Sequence, residues 1–167
     1  MNKDFLITIF LSNTQGASFQ RANVYAKDAT DQQKIPFKND FLNRLKALEN
    51  RYAVPVSDKD HCCIIQNFAK GLSDSHSSVL ANGRLRIGVA QKAVNLFLKF
   101  LWSADLIPEP PHCPVDRIVL NELGIDMNWT QLDDIKEYQR IIVSIREVAG
   151  DMSLSKWEDD LWRRKAQ

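Results

Sequence analysis

The chain has 167 residues, a formal net charge of +1, 44% hydrophobic and 26% charged residues. That is the size of one domain with a real core and an ordinary globular composition. It holds no run of about 20 apolar residues, which excludes a membrane-spanning helix, and it is far from a strongly basic nucleic-acid-binding composition. The charge is unevenly spread: residues 1–104 carry 14 Lys/Arg against 8 Asp/Glu, and residues 105–167 carry 8 against 13. Three cysteines, two of them adjacent (Cys62, Cys63) and one apart (Cys113), make a poor disulfide framework and point to the reducing cytoplasm.

In chain order, Phe5–Leu11 is a short apolar run that reads as a first strand or helix, with Ile7, Thr8 and Ile9 favouring strand. It is not read as a signal peptide, since it lacks a basic lead and a cleavage site. Residues 12–36 are polar and read as loop with one short element near Phe19–Tyr25, so 1–36 is expected to be a less regular N-terminal segment. Asn39 or Asp40 caps a helix carrying Phe41, Leu42, Leu45, Leu48 and Tyr52, stopped by Pro55. Ser57 or Asp58 caps the next, with Cys62, Ile64, Ile65, Phe68 and Leu72 as core positions, and 73–83 reads as a linker.

The stretch from about Leu85 to Leu106 is oily on nearly every side and predicts a central helix. Gly88, Lys92, Asn95 and Lys99 interrupt it, and at about 100° per residue they fall on one narrow stripe. Pro108, Pro110, Pro111 and Pro114 then stiffen an extended passage. Val115–Leu123 returns to helix, with Asp116 in its first turn and Gly124 at its end. Asp133 caps a helix through Ile135, Tyr138, Ile141, Ile142, Ile145 and Val148, which Gly150 ends. Ser153 or Ser155 opens the last, where Trp157 and Trp162 stand five apart, so that one is core and the other an exposed anchor. The expectation is a mainly α, single-domain bundle of five to six helices over residues 1–167.

Two residues stand out chemically. A lysine between apolar helix faces is partly desolvated, and a neutral amine is a nucleophile that forms Schiff bases with carbonyl carbons. The bland alternative is a seam lysine reaching water. Asp116, just after Pro114-Val115, is either a first-turn aspartate supporting its helix or a fixed carboxylate facing a substrate. Between Arg84 and Lys99 there are four basic residues and no acid. His61-Cys62-Cys63 and His112-Cys113 lack the two-residue gap of a zinc site, and neighbouring His112 and Cys113 point apart, so neither a metal nor a cysteine nucleophile is expected.

Ile87-Gly-Val-Ala-Gln-Lys-Ala-Val-Asn-Leu96, followed by Cys113-Pro-Val-Asp-Arg-Ile-Val-Leu120, resembles the core of the helix-hairpin-helix DNA glycosylases. The match spans about 40 residues. The resemblance implies a DNA partner, no cofactor, and base excision with optional lyase activity. Lys92 would attack the anomeric carbon, and Asp116 would stabilise positive charge developing on the sugar. Arg84, Arg86, Gly88, Gln91 and Lys99 would contact the DNA backbone, and a flipped base would meet Trp102, His112, Trp129 or Phe97. The competing expectation is a non-catalytic helical module that binds nucleic acid or a protein partner in a bacterial defence or regulatory system.

Overall fold

The computed structural model describes residues 2–166, and within them seven α-helices surround one hydrophobic core with no strand. They are α1 (Lys3–Phe19), α2 (Asp31–Arg51), α3 (Asp58–His76), α4 (Ile87–Ser103), α5 (Arg117–Glu122), α6 (Ile135–Ala149) and α7 (Leu154–Lys165). The mainly α expectation holds, with more helices than the five or six anticipated. None of the described helices is long and apolar enough to cross a membrane.

Helix α4 is the axis. Ala90, Ala93, Val94, Phe97, Leu98 and Leu101 are wholly buried, and α1, α2, α3 and α6 all pack against it. Its first turn has no side-chain cap of its own. Instead the 129–133 segment closes it: the Ile87 amide donates to Asp133 Oδ1 (3.3 Å) and the Gly88 amide to the Leu132 carbonyl (2.7 Å). These are two of the orphan amides that every helix start must satisfy.

The N-terminal third departs from its expected form. Phe5–Leu11 is helical within α1, which Asn2 caps by accepting from the Asp4 amide. The buried positions of α1 are Ile7, Thr14 and Ser18, on a helical spacing of seven and four. Two of the three are small and polar, so hydrophobicity does not mark the face, and β-propensity in Ile7-Thr-Ile9 pointed the wrong way. Tertiary packing on α4 overrides it, including the stacked rings of Phe10 and Phe100 at 5.2 Å.

Helix α2 begins at Asp31, well before the expected cap at Asn39 or Asp40. Thr30 accepts from the Gln33 amide while the Gln33 side chain accepts from the Thr30 amide, a full capping box. That start is strong enough to carry Pro36 inside the helix. Asp40 is occupied elsewhere, accepting from Arg44 Nε and contacting His76 Nε2, both at 2.9 Å. Between α1 and α2 the chain pairs with residues 79–81 through a single antiparallel bridge, Tyr25 to Leu80. Helix α3 runs on to His76, into what reads as linker.

Downstream the boundaries fall close to expectation. Asp116 is the N-cap of α5 rather than a first-turn residue, Asp134 rather than Asp133 caps α6, and Gly150 ends it at φ +60. Trp157 is buried and Trp162 is half-exposed.

Gly88 has the tightest surroundings of any glycine. A Cβ there would lie 1.8 Å from the Trp129 carbonyl oxygen, a backbone atom that cannot step aside. Gly88→Ala is therefore expected to cost at least about 2 kcal/mol, read as a lowered urea midpoint. An unchanged midpoint would mean the 129–133 segment is not seated on α4.

Candidate active site around Lys92 and Asp116

Asp116 is fixed before any substrate is considered. Its backbone is extended, and Oδ1 accepts from the amides of Ile118 (3.0 Å) and Val119 (3.2 Å), the first turn of α5. The cap leaves Oδ2 free to turn toward α4, where it accepts from Lys92 Nζ at 2.6 Å. The two residues are 24 apart in sequence. Their side chains keep only 11% and 19% exposure, so the pair sits at the edge of the core with a narrow face to solvent.

The residue before Asp116 is held as firmly. The Val115 amide donates to Gln91 Oε1 (3.0 Å), and Gln91 Nε2 donates back to the Val115 carbonyl (2.6 Å) and to the Gly88 carbonyl (3.0 Å). Because a backbone N–H can only donate, it fixes which end of the Gln91 amide is oxygen. The consequence runs through the core. Asn95 Nδ2 must donate, to Gln91 Oε1 (3.2 Å) and to the Tyr138 hydroxyl (3.0 Å). Asn95 Oδ1 then accepts from His61 Nε2 (2.8 Å), leaving His61 Nδ1 to accept from the Tyr52 hydroxyl (2.6 Å). Tyr138 in turn donates to His112 Nδ1 (2.9 Å), and His112 Nε2 donates to Asp58 Oδ1 (3.1 Å) at the surface. Arg146 completes the row with 2.6 Å to Asp58 Oδ2.

Burial pushes His61 down to about 3 and holds His112 below its ordinary value, so both rings stay neutral, as this bonding requires. At Asp58 the His112 hydrogen bond is the largest cause of a carboxyl lowered to about 2.

Two clefts meet at the Lys92–Asp116 pair, and Ala17 of α1 also belongs to both. The first, about 380 Å³, is polar: Gln20, Arg21, Arg117 and Asn128 line it, with Trp129. The second, about 450 Å³, is more apolar: Leu96, Phe100, Pro114 and Trp162 line it above a second ion pair, Lys99 Nζ to Glu158 Oε2 at 2.6 Å. One cleft thus offers exposed guanidinium groups and the other aromatic surface, with an amine and a carboxylate at the junction.

The remaining residues singled out in the sequence are dispersed. Gln91 and Gly88 are buried and bonded to the protein's own backbone, and His112 is buried within the polar row. Neither Gln91 nor His112 opens onto a cleft. Arg86 donates to the carbonyls of Thr130 (2.5 Å) and Ala22, tying two loops together. Arg84 pairs with Asp133 in a separate groove. Phe97 is core, Trp102 is half-buried and lines neither cleft, while Trp129 lines the polar one and Lys99 the apolar one.

Sequence reasoning passed over Arg21, Arg117 and Glu158. Arg117 follows Asp116 directly and had a readable signal. Glu158 had a weak one, four residues before Trp162 on one helical face. Arg21 had none, because only the left-handed turn after α1 (φ +59) brings it to the cleft.

No protein-family model, curated protein or solved structure matches this chain.

Gln91→Leu leaves the Val115 amide and carbonyl buried without partners, and is expected to destabilise by roughly 2–5 kcal/mol in urea unfolding. A loss under 1 kcal/mol would show that the Gln91 bonds do not hold this region.

The histidines set a pH dependence. A group whose folded value lies below its unfolded one stabilises above the unfolded value and loses that contribution as pH falls toward the folded one. For His61 this window runs from about 6.5 down to about 3. Unfolding free energy is therefore expected to fall with pH below 6.5, by up to about 1.4 kcal/mol per pH unit for each such histidine. Urea titrations at pH 7, 6 and 5 should show a shallower slope for His61→Gln than for wild type. Equal slopes would remove His61 as a cause.

Proposed function

We propose that this protein is a DNA base-excision glycosylase with lyase activity, working through Lys92 and Asp116. The observation that carries the reading is the 2.6 Å contact between Lys92 Nζ and Asp116 Oδ2 at the junction of a basic cleft and an aromatic one. An extrahelical nucleotide has a charged backbone and a planar base on either side of its sugar. With phosphates along Arg21 and Arg117 and the base beyond the pair, the sugar falls against the cleft-facing side of the amine and carboxylate.

The chemistry follows from those two groups. As the bond from C1′ to the base nitrogen breaks, the electron pair leaves with the base and positive charge grows on the sugar. Asp116 Oδ2, fixed by the α5 cap, faces that charge without reorganising. The Lys92 nitrogen forms a new bond to C1′. One proton of the original ammonium ends on the departing base. A second passes to O4′ as the sugar ring opens, which leaves a protonated Schiff base between Lys92 and C1′.

One observation favours a second reading, a non-catalytic helical module. The turn before Lys92 has its Gly88 amide committed to Leu132 and the Arg86 guanidinium committed to carbonyls. A phosphate therefore finds no free Gly88 amide at that turn, and Lys92–Asp116 would be a structural ion pair.

Borohydride trapping separates the two. The protein is incubated with duplexes carrying oxidised, alkylated, deaminated or abasic sites, beside Lys92→Gln and Asp116→Asn. The glycosylase reading expects a covalent adduct that Lys92→Gln abolishes, and base release that Asp116→Asn lowers by at least about a hundredfold. Circular dichroism of both variants guards against unfolding. Neither adduct nor base release on any duplex would leave the binding module as the function.

A further inference from the structure

The apolar cleft holds more than an empty hydrophobic surface. Lys99 and Glu158, 2.6 Å apart, lie against its wall, with side-chain exposures of 14% and 6%. Burying such a pair carries a desolvation cost that good geometry offsets only in part, and burial pushes the Glu158 carboxyl up despite its lysine neighbour. Lys99 also lies 5.7 Å from the centre of the Trp162 indole, which is half-exposed. Phe100 is held in place by its stack on Phe10. A cavity of this kind presents an aromatic face, an ammonium donor and a carboxylate acceptor side by side.

We propose that this cleft is a nucleobase subsite: Trp162 offers the stacking face, while Lys99 and Glu158 recognise an edge bearing a ring acceptor nitrogen beside an exocyclic amine. Adenine has that arrangement at N7 and the 6-amine, whereas guanine shows two acceptors at N7 and O6. The ammonium meets the ring nitrogen and the carboxylate accepts from the amine. Unsubstituted purine keeps the ring and the stacking but lacks the amine, so it leaves Glu158 unanswered. Stacking of a base on an aromatic side chain is sequence-tolerant, which assigns selection to the Lys99–Glu158 pair.

The subsite rests on the reading of Lys92 and Asp116 as the glycosidic centre, but its test does not require turnover. Free adenine and free purine are titrated into the full chain while the tryptophan indole N–H resonances are followed by NMR, with Trp162 identified from Trp162→Phe. Adenine is expected to shift the Trp162 resonance, and purine to bind at least about tenfold more weakly. Glu158→Gln should erase most of the preference for adenine. Should that variant not fold, the adenine-to-purine ratio on the native protein decides alone. No Trp162 shift, or equal binding of the two purines, overturns the subsite. Adenine binding without base release from any duplex would keep the subsite and sink the glycosylase reading, and base release with a silent Trp162 would do the reverse.

Discussion

One backbone hydrogen bond organises the interior of this protein. The Val115 amide donates to Gln91 Oε1, and because an amide N–H has no alternative role, the donor sense of every polar group behind it follows. Gln91, Asn95, Tyr138, His61, His112 and Tyr52 have one assignment in which each is satisfied. A buried polar network is worth having only when it is complete, since one unmatched group in low dielectric costs more than its bond would give. This one is complete and ends at the surface on Asp58 and Arg146.

The same bond reaches the candidate site. Gln91 grips both polar atoms of Val115, and the next residue is Asp116. Lys92 is the next residue after Gln91 on α4. Two adjacent positions on one helix therefore hold two adjacent positions on the 113–116 segment, one through backbone and one through charge. This crossing explains why a short α5 of six residues is well placed: its cap is anchored from outside the helix as well as by its own amides.

Gly88 has a complementary role. Its missing side chain lets the Trp129 and Leu132 carbonyls approach α4, and this seats the loop that carries Asn128 and Trp129 beside the polar cleft. The stripe Gly88, Lys92, Asn95, Lys99 thus meets a different partner at each step: the 129–133 loop, Asp116, the buried polar row and Glu158. A helix oily almost everywhere else uses this line, with Gln91 beside it, to fix register with its neighbours, which directionless apolar packing does poorly.

Much of this was legible in the chain alone. The length of α4's apolar run declared a central helix, the stripe of exceptions is visible from helical periodicity, and the 92 and 116 positions stand out by residue type. Local signals with a strong short-range cause, such as Ser57 at a helix start and Gly150 at a helix end, also read correctly. What failed lacked a local cause or had a misleading one. The buried face of α1 is marked by Thr14 and Ser18 rather than by oil, and Asn39-Asp40 looked like a cap while the capping box at Thr30 did the capping. Gln91 reads as a DNA contact by resemblance, whereas its partner in the structure is Val115, 24 positions away. The sequence alone determined which helix is central and which amine and carboxylate are candidates. Only the tertiary structure decided that they touch, that Gln91 and His112 face inward, and that Arg21 and Glu158 belong to the clefts, because those outcomes depend on long-range pairing that no local pattern encodes.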